Sequence, residues 1–125
     1  FVTDLLDMGA RFYTYMATMK DCMGACAKAG KPFLVLDRPN PIGGTVLEGP
    51  IAQITGAAVC CAPIPIRHGM TLGELALFFK QQFFAKDKLS VSVIRADTWP
   101  GHGYPVQDDR RALVQPQKDS SGNPP

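Results

Sequence analysis

The sequence feature that most constrains the fold is a run of four apolar residues, Phe33–Leu36, which is followed at once by a polar loop. Strands in the middle of a parallel sheet are covered on both faces, so they read as continuous apolar runs. Residues 37–44, which come next, contain two prolines and two glycines and cannot continue such a strand. Because α/β proteins place functional groups at the carboxyl ends of their strands, we predict a functional site directly after this run.

Two helices are predicted, one before this strand and one after its loop. In residues 14–29, methionine, cysteine and tyrosine residues recur at three- and four-residue steps, which is the spacing of one buried helix face. Gly30 follows this stretch and is predicted to form a left-handed C-terminal cap. The second helix is predicted to begin after Thr71, because Thr71 can serve as the N-cap and Glu74, three residues later, completes a capping box.

Further strands give the chain an alternating order of elements. Val91–Ile94 has the apolar and β-branched content of a strand, and residues 2–6 are predicted to include the end of another. Residues 57–66 contain two prolines, so we predict at most a short strand there. The alternation of helices and strands predicts an α/β fold, namely a Rossmann-like layered domain with a mainly parallel sheet.

The character of the sequence changes at residue 100. From there to the C-terminus, glycine, proline, glutamine and paired charges dominate, and no helical or strand periodicity is present. We therefore assign residues 1–99 to an incomplete portion of the α/β domain and residues 100–125 to an irregular or disordered tail.

The composition excludes several classes of function. The formal net charge is +2 at pH 7 and the charges are dispersed, which does not fit a nucleic-acid-binding protein. No apolar run is long enough to span a membrane. The four cysteines, at positions 22, 26, 60 and 61, lack the spacing of a zinc site or a disulfide scaffold, so we predict buried free thiols. The acidic residues and His68 show no recognised ligand spacing, so neither a metal nor another cofactor is predicted.

Four segments of the chain form an ordered pattern. Residues 4–15 read DLLDMGARFYTY, residues 37–44 read DRPNPIGG, residues 48–50 read EGP and residues 65–76 read PIRHGMTLGELA. In this order they resemble the D-x-Q-D-V-G-x-R-F-Y-T-Y, D-R-P-N-P-x-G-G, E-G-P or D-G-P, and P-x-R-H-G-M-T-x-G-E-L-A segments of the NamZ-type exo-β-N-acetylmuramidases. That family was long catalogued as a domain of unknown function. Leu6 departs from the pattern, because the family usually has glutamine there.

The resemblance implies a glycoside hydrolase that removes terminal N-acetylmuramic acid from peptidoglycan fragments, with a peptidoglycan-derived muropeptide or disaccharide as substrate and no cofactor. It covers residues 1–99 but only a middle portion of the family's length, so we expect the chain alone to be inactive. Back-translating residues 106–118 and reading one frame over permits something like the family's continuation, and we hypothesise that the tail, residues 100–125, is a frameshifted translation. Because the substrate is cell-wall material, we expect a bacterial extracytoplasmic protein, either periplasmic or secreted.

The chemistry of glycoside cleavage determines which residues are candidates for catalysis and for substrate binding. It needs a carboxylic acid that protonates the leaving oxygen and a second group that attacks the sugar or activates water. Arginine suits a sugar carboxylate because its planar guanidinium can bind one bidentately. The predicted catalytic residues are Glu48, Asp37 and His68. The predicted substrate-binding residues are Arg11, Tyr13, Arg38, Asn40, Arg67 and Glu74.

Several of these residues also have a purely structural interpretation. The capping box explains Glu74 without any substrate. Asp37 and Asn40 can each hold a turn through their own side chains. Arg38 can have the purely structural role of pairing with Asp37 or Glu48. The sequence also leaves open whether the reaction retains or inverts the anomeric configuration, because that depends on the distance between two carboxylates.

Two other functions remain alternatives. The segment Arg67-His68-Gly69-x-Thr71 also resembles the R-H-G-x-T nucleophile loop of histidine phosphatases, in which histidine attacks phosphorus. Against this, a strand and a long loop precede the motif, and only His102 could serve as a second histidine. The other alternative is a non-catalytic carbohydrate-binding α/β domain.

Overall fold

A three-stranded parallel sheet lies at the centre of the computed structural model, which describes residues 1–95. The elements follow one another as β1 (Val2–Thr3), α1 (Tyr15–Ala29), β2 (Phe33–Leu36), α2 (Leu72–Phe83) and β3 (Val91–Ile94). The strand order is β1-β2-β3, and both pairings are parallel. The predicted α/β fold with parallel strands is therefore confirmed. The predictions for residues 100–125 lie outside the described residues.

The apolar run of β2 occupies the middle of the sheet, as predicted. Leu34 pairs with Val2 of β1 on one side and with Ser92 of β3 on the other. Phe33 and Val35 are fully buried and belong to one core cluster with residues of both helices, whereas the side chains of opposite orientation are only half-buried. Among the described residues, the sheet is thus covered more completely on one face than on the other.

Helix α1 begins one residue later than predicted and ends where predicted. Its cap, Gly30, has φ 62° and ψ 31°, the left-handed conformation that glycine adopts without steric cost. The N–H groups of Gly30 and Lys31 donate to the carbonyls of Ala27 and Cys26, at 3.3 and 3.0 Å, and so satisfy the last turn of the helix. The methionines predicted to form the buried face do so, since Met16, Met19 and Met23 are fully buried.

Helix α2 has the predicted capping box. The Thr71 hydroxyl accepts a hydrogen bond from the Glu74 backbone N–H at 3.2 Å, and the Glu74 carboxylate accepts one from the Thr71 N–H at 2.9 Å. Leu75, Phe78 and Phe79 form the buried face of this helix. The box fixes where α2 begins and therefore where the loop before it must end.

The long connection between β2 and α2 contains no strand. Within residues 57–66 the one isolated β-bridge joins Ala57 to Cys60, and the next residue, Arg67, makes bridges to Ala10 and Glu48. The four cysteines are free thiols, as predicted; Cys26 and Cys61 are buried, while Cys22 and Cys60 are half-buried. Burial raises the pKa of the Cys61 thiol, which keeps that group protonated and unreactive.

Residues 1–95 contain neither a membrane-spanning helix nor a cluster of metal-binding side chains. Neither helix there has both the length and the apolar character needed to cross a lipid bilayer. The same residues contain no cluster of three or more histidine, cysteine, aspartate or glutamate side chains that could hold a metal ion.

Replacing Thr71 should weaken the start of α2. Thr71→Val removes the hydroxyl that accepts from Glu74 and donates to Asp37 Oδ2 at 2.8 Å, so a buried carboxylate oxygen loses its donor. We expect the free energy of unfolding to fall by about 1–3 kcal/mol, as for loss of a cap and of a buried hydrogen bond. Thr71→Ser, which keeps the hydroxyl, should stay within about 0.5 kcal/mol of the unmodified protein. Urea denaturation followed by circular dichroism measures both, and equal losses would contradict this role.

Candidate functional site

Three loop segments that are distant in sequence meet around Arg67. The Arg67 N–H donates to the Glu48 carbonyl at 2.9 Å, and the Glu48 N–H donates to the Arg67 carbonyl at 3.2 Å. The first loop joins through the Arg11 N–H, which donates to the Ile66 carbonyl at 2.8 Å, and through the Gly9 carbonyl, which accepts from the His68 N–H at 3.3 Å. These backbone bonds fix the loops after β1 and β2 against the segment that leads into α2.

An open depression of about 650 Å³ lies over this junction. Its size is within the range of about 300–1,000 Å³ found for small-molecule sites. It is mostly apolar and contains one carboxylate and one guanidinium. The lining residues are Ala10, Phe12, Ile42, Glu48, Gly49, Ile66 and Arg67.

Glu48 and Arg67 form the polar part of the depression. Arg67 Nη1 donates to Glu48 Oε2 at 2.7 Å, and Arg67 Nη2 donates to the Ile42 carbonyl. The side chain of Glu48 is 62% exposed and that of Arg67 is 28% exposed, so both can be reached by a ligand. Of the three predicted catalytic residues, Glu48 is the one that lines the depression.

Asp37, the second predicted catalytic residue, is buried beside the start of α2. Its Oδ1 accepts hydrogen bonds from the Gly73 N–H at 2.7 Å and the Arg38 N–H at 2.9 Å, and its Oδ2 accepts one from the Thr71 hydroxyl at 2.8 Å. A carboxylate there also interacts favourably with the positive end of the helix dipole. Both oxygens are therefore engaged in holding α2, and Asp37 does not line the depression.

His68, the third predicted catalytic residue, is fully buried. Its Nδ1 accepts a hydrogen bond from the Met70 N–H at 3.2 Å, so in the neutral ring the proton is on Nε2. Nε2 lies 3.2 Å from Asp7 Oδ2, close enough for electrostatic attraction but not aligned as a hydrogen bond. That same oxygen accepts from the Gly9 N–H at 2.7 Å. A buried ring with its Nε2 against a carboxylate has no approach for a phosphate ester, which disfavours the phosphatase alternative.

The predicted arginine and asparagine ligands mostly bind other parts of the chain. Arg11 Nη1 donates to the carbonyls of Pro50 and Ile64, at 2.9 and 2.6 Å, and so ties two loops together. Arg38 donates through Nε and Nη2 to Asp4 Oδ1, at 2.8 and 2.6 Å, in an exposed ion pair. These two arginines therefore already have partners on other loops.

Asn40 and Glu74 also make structural contacts. The Asn40 side chain donates to the Met70 carbonyl at 2.9 Å and accepts from the Ile42 N–H at 3.1 Å, which holds the DRPNPIGG loop against the segment before α2. Glu74 completes the capping box, which is the structural interpretation that its sequence position offered.

Tyr13 stands next to Tyr15 at the start of α1. The centroids of the two rings are 4.8 Å apart and their planes are inclined at 57°. Desolvation, and then the neighbouring Tyr15 hydroxyl, raise the pKa of Tyr13 above the ordinary value for tyrosine. Tyr13 therefore keeps a neutral hydroxyl that can donate a hydrogen bond, although it does not line the depression.

Sequence reasoning missed the apolar residues of the site. Phe12, Ile42 and Ile66 line the depression, yet their sequence context gives them no chemical role. For Phe12 and Ile42 the available signal was their position in loops that also carry polar and glycine residues, whereas Ile66 ends an apolar stretch and gives no such signal. Asp7, an acid of the DLLDMGARFYTY segment, is the residue whose carboxylate faces His68.

Comparison with known proteins gives a consistent result. The family model described as "Exo-beta-N-acetylmuramidase NamZ, N-terminal" matches residues 1–118. Over 89 residues the chain is 51% identical to the peptidoglycan beta-N-acetylmuramidase NamZ of Bacillus subtilis strain 168, a match that covers 70% of this chain and 22% of that protein.

Solved structures of similar fold come from Bacteroides fragilis NCTC 9343. Two DUF1343 family proteins match with TM-scores of 0.67 and 0.66 and sequence identities of 40% and 42%. Each match covers 74% of this chain, and 24% or 27% of the solved chain. The chain thus spans about a quarter of the length of the relatives that it matches.

Substituting Gly49 should disturb the depression more than an equally left-handed glycine elsewhere. Gly49 has φ +82°, and an added Cβ would come within 2.8 Å of Ile66. Gly43 has φ +79° and nothing within 4 Å of an added Cβ. We expect Gly43→Ala to cost about 1–2 kcal/mol of unfolding free energy through its backbone alone. Gly49→Ala should cost more, because Ile66 must also move. Chemical denaturation compares the two, and equal costs would show that this contact is not tight.

Proposed function

The chain belongs to the family of the exo-β-N-acetylmuramidase NamZ, and from this we propose that its protein is a glycoside hydrolase acting on peptidoglycan fragments. Such an enzyme removes the terminal N-acetylmuramic acid of a muropeptide or disaccharide. The observation that carries the proposal is the open depression with Glu48 and Arg67 in it, placed where an α/β fold puts its site. The Bacillus subtilis relative, which is named as a peptidoglycan beta-N-acetylmuramidase, supports the same substrate class.

We assign Glu48 as the carboxylate that acts on the sugar during hydrolysis. Hydrolysis breaks the bond from C1 to the leaving oxygen, joins the oxygen of water to C1 and delivers a proton to the leaving oxygen. Positive charge develops at the sugar ring during this step. A carboxylate that is 62% exposed and paired with Arg67 at 2.7 Å is suited to face that charge or to orient water. We propose that the proton donor comes from a part of the protein outside residues 1–95.

Asp37 and His68 are assigned positioning roles instead of direct contact with the sugar. Asp37 accepts three hydrogen bonds at the start of α2, and His68 is fully buried against Asp7. A group that contacts substrate must be reachable, and neither side chain is. Both would nevertheless affect activity, because they hold the segment that carries Arg67.

Neutralising Glu48 tests the proposal directly. Glu48→Gln keeps the size of the side chain but removes its charge, so kcat for release of N-acetylmuramic acid should fall about 10²- to 10⁴-fold, as for other acid–base groups. The matched control is Asp87→Asn, because Asp87 is also an exposed carboxylate but does not line the depression. The measurement, made on the intact protein and its two variants, is release of N-acetylmuramic acid from its β-linked disaccharide with N-acetylglucosamine.

Each result of this experiment has one meaning. Loss of activity in Glu48→Gln and retention in Asp87→Asn would support the assignment of Glu48. Full activity in both would refute it. If the unmodified protein bound the disaccharide but released no sugar, the non-catalytic carbohydrate-binding alternative would replace the hydrolase.

The substrate also leads us to propose a location. Peptidoglycan lies outside the cytoplasmic membrane, so a protein acting on it is expected in the periplasm or the medium. Fractionation of the source bacterium with an antibody against the protein tests this, and recovery in the cytoplasmic fraction alone would contradict it.

A further inference from the structure

We propose that the depression distinguishes N-acetylmuramic acid from N-acetylglucosamine by binding the lactyl ether group, with Arg67 on its carboxylate and Ile42 and Ile66 on its methyl group. The inference rests on the proposed function and adds the residues that would set the identity of the sugar. The two sugars differ only in this ether, which replaces a hydroxyl and carries a methyl and a carboxylate on one carbon.

Contacts within the chain single out Arg67 among the three predicted arginine ligands. Arg11 donates to the carbonyls of Pro50 and Ile64 and does not line the depression. Arg38 is paired with Asp4, and it lies outside the depression. Arg67 lines the depression, and its backbone is held on both sides by Glu48, so its guanidinium starts from a fixed position.

The apolar wall of the depression matches the second half of the lactyl group. Ile42 and Ile66 line the same depression as Arg67 and remain 42% and 38% exposed. The Arg67 guanidinium donates to the carbonyl of Ile42 itself, so the cation and this apolar side chain are immediate neighbours. Binding a methyl and a carboxylate that share one carbon requires an apolar surface directly beside a cationic group. A hydroxyl in the same place would leave the apolar wall without a partner and would offer the guanidinium no opposite charge.

The existing ion pair between Arg67 and Glu48 does not oppose this binding strongly. Exposed ion pairs contribute little to stability, so a substrate carboxylate can replace Glu48 at Nη1. Guanidinium groups carry five N–H donors, and hydrogen bonds to Glu48 and Ile42 use two of them. This replacement would free the Glu48 carboxylate to face the sugar ring. Binding of the lactyl group would thereby be coupled to the placement of Glu48, the carboxylate that we assign to the reaction.

A cycle that changes both the protein and the substrate tests the contact. The substrates are the para-nitrophenyl β-glycosides of N-acetylmuramic acid, of its lactyl methyl ester and of N-acetylglucosamine. The proteins are the intact protein, of which this chain is a portion, and its Arg67→Met variant, which keeps the apolar stem. Esterification should lower kcat/KM about 10- to 100-fold in the unmodified protein, the loss typical of a hydrogen bond to a charged group. In Arg67→Met, esterification should lower kcat/KM hardly at all, because the guanidinium that would bind the carboxylate is already gone.

The outcomes separate this inference from the function on which it rests. If the ester loses the same factor in both proteins, Arg67 does not bind the carboxylate and the inference fails while the hydrolase stands. If the unmodified protein cleaves none of the glycosides, the proposed function itself fails.

Ile42→Ala provides a second test that leaves the salt bridge in place. Removing part of this exposed side chain should lower kcat/KM several-fold for the N-acetylmuramic acid glycoside and for its ester, because both keep the methyl group. The loss with the N-acetylglucosamine glycoside should be smaller, because that sugar has no lactyl methyl group. Equal losses with all three substrates would contradict a methyl-binding role for Ile42.

Discussion

The position of Arg67 is the constraint on which the rest of the site depends. Its N–H and carbonyl both pair with Glu48, 19 residues earlier, and its guanidinium reaches the Ile42 carbonyl, 25 residues earlier. Neighbouring bonds at Ile66 and His68 bring in the loop that carries Gly9 and Arg11. Ordering long loops costs conformational entropy, which these hydrogen bonds must offset before any ligand binds. The depression exists because three loops are held at one residue.

The site contains two buried carboxylates and one exposed carboxylate, and these make different contacts. Asp37 and Asp7 are buried. Asp37 accepts from two backbone N–H groups, whereas Asp7 accepts from one and faces His68. Burying an ionised carboxylate is costly unless hydrogen bonds and nearby charges compensate, which explains why Asp37 accepts three hydrogen bonds at the start of α2. Glu48 keeps its contact with water and with Arg67. The two buried acids therefore hold the loops in place, and of these three carboxylates Glu48 is the one that a ligand can reach.

Much of the framework could be predicted from local patterns. The apolar run of β2, the cap at Gly30 and the capping box at Thr71 each depend on residues within a few positions, so the sequence displays them directly. The partners of Asp37 and Arg11 are long-range, at 36 and 53 residues, and no local pattern encodes them. For this reason the sequence identified a cluster of acids, arginines and a histidine near one sheet edge. It could not show which of them point inward and which face the depression.

The most direct measurement of the central claim is a crystal structure of the intact protein with N-acetylmuramic acid bound. We expect the sugar to lie in the depression, with its ring next to Glu48 and its lactyl group between Arg67 and the side chains of Ile42 and Ile66. Sugar bound elsewhere, with this depression filled by another part of the polypeptide, would contradict the claim that the loops converging on Arg67 form the substrate site.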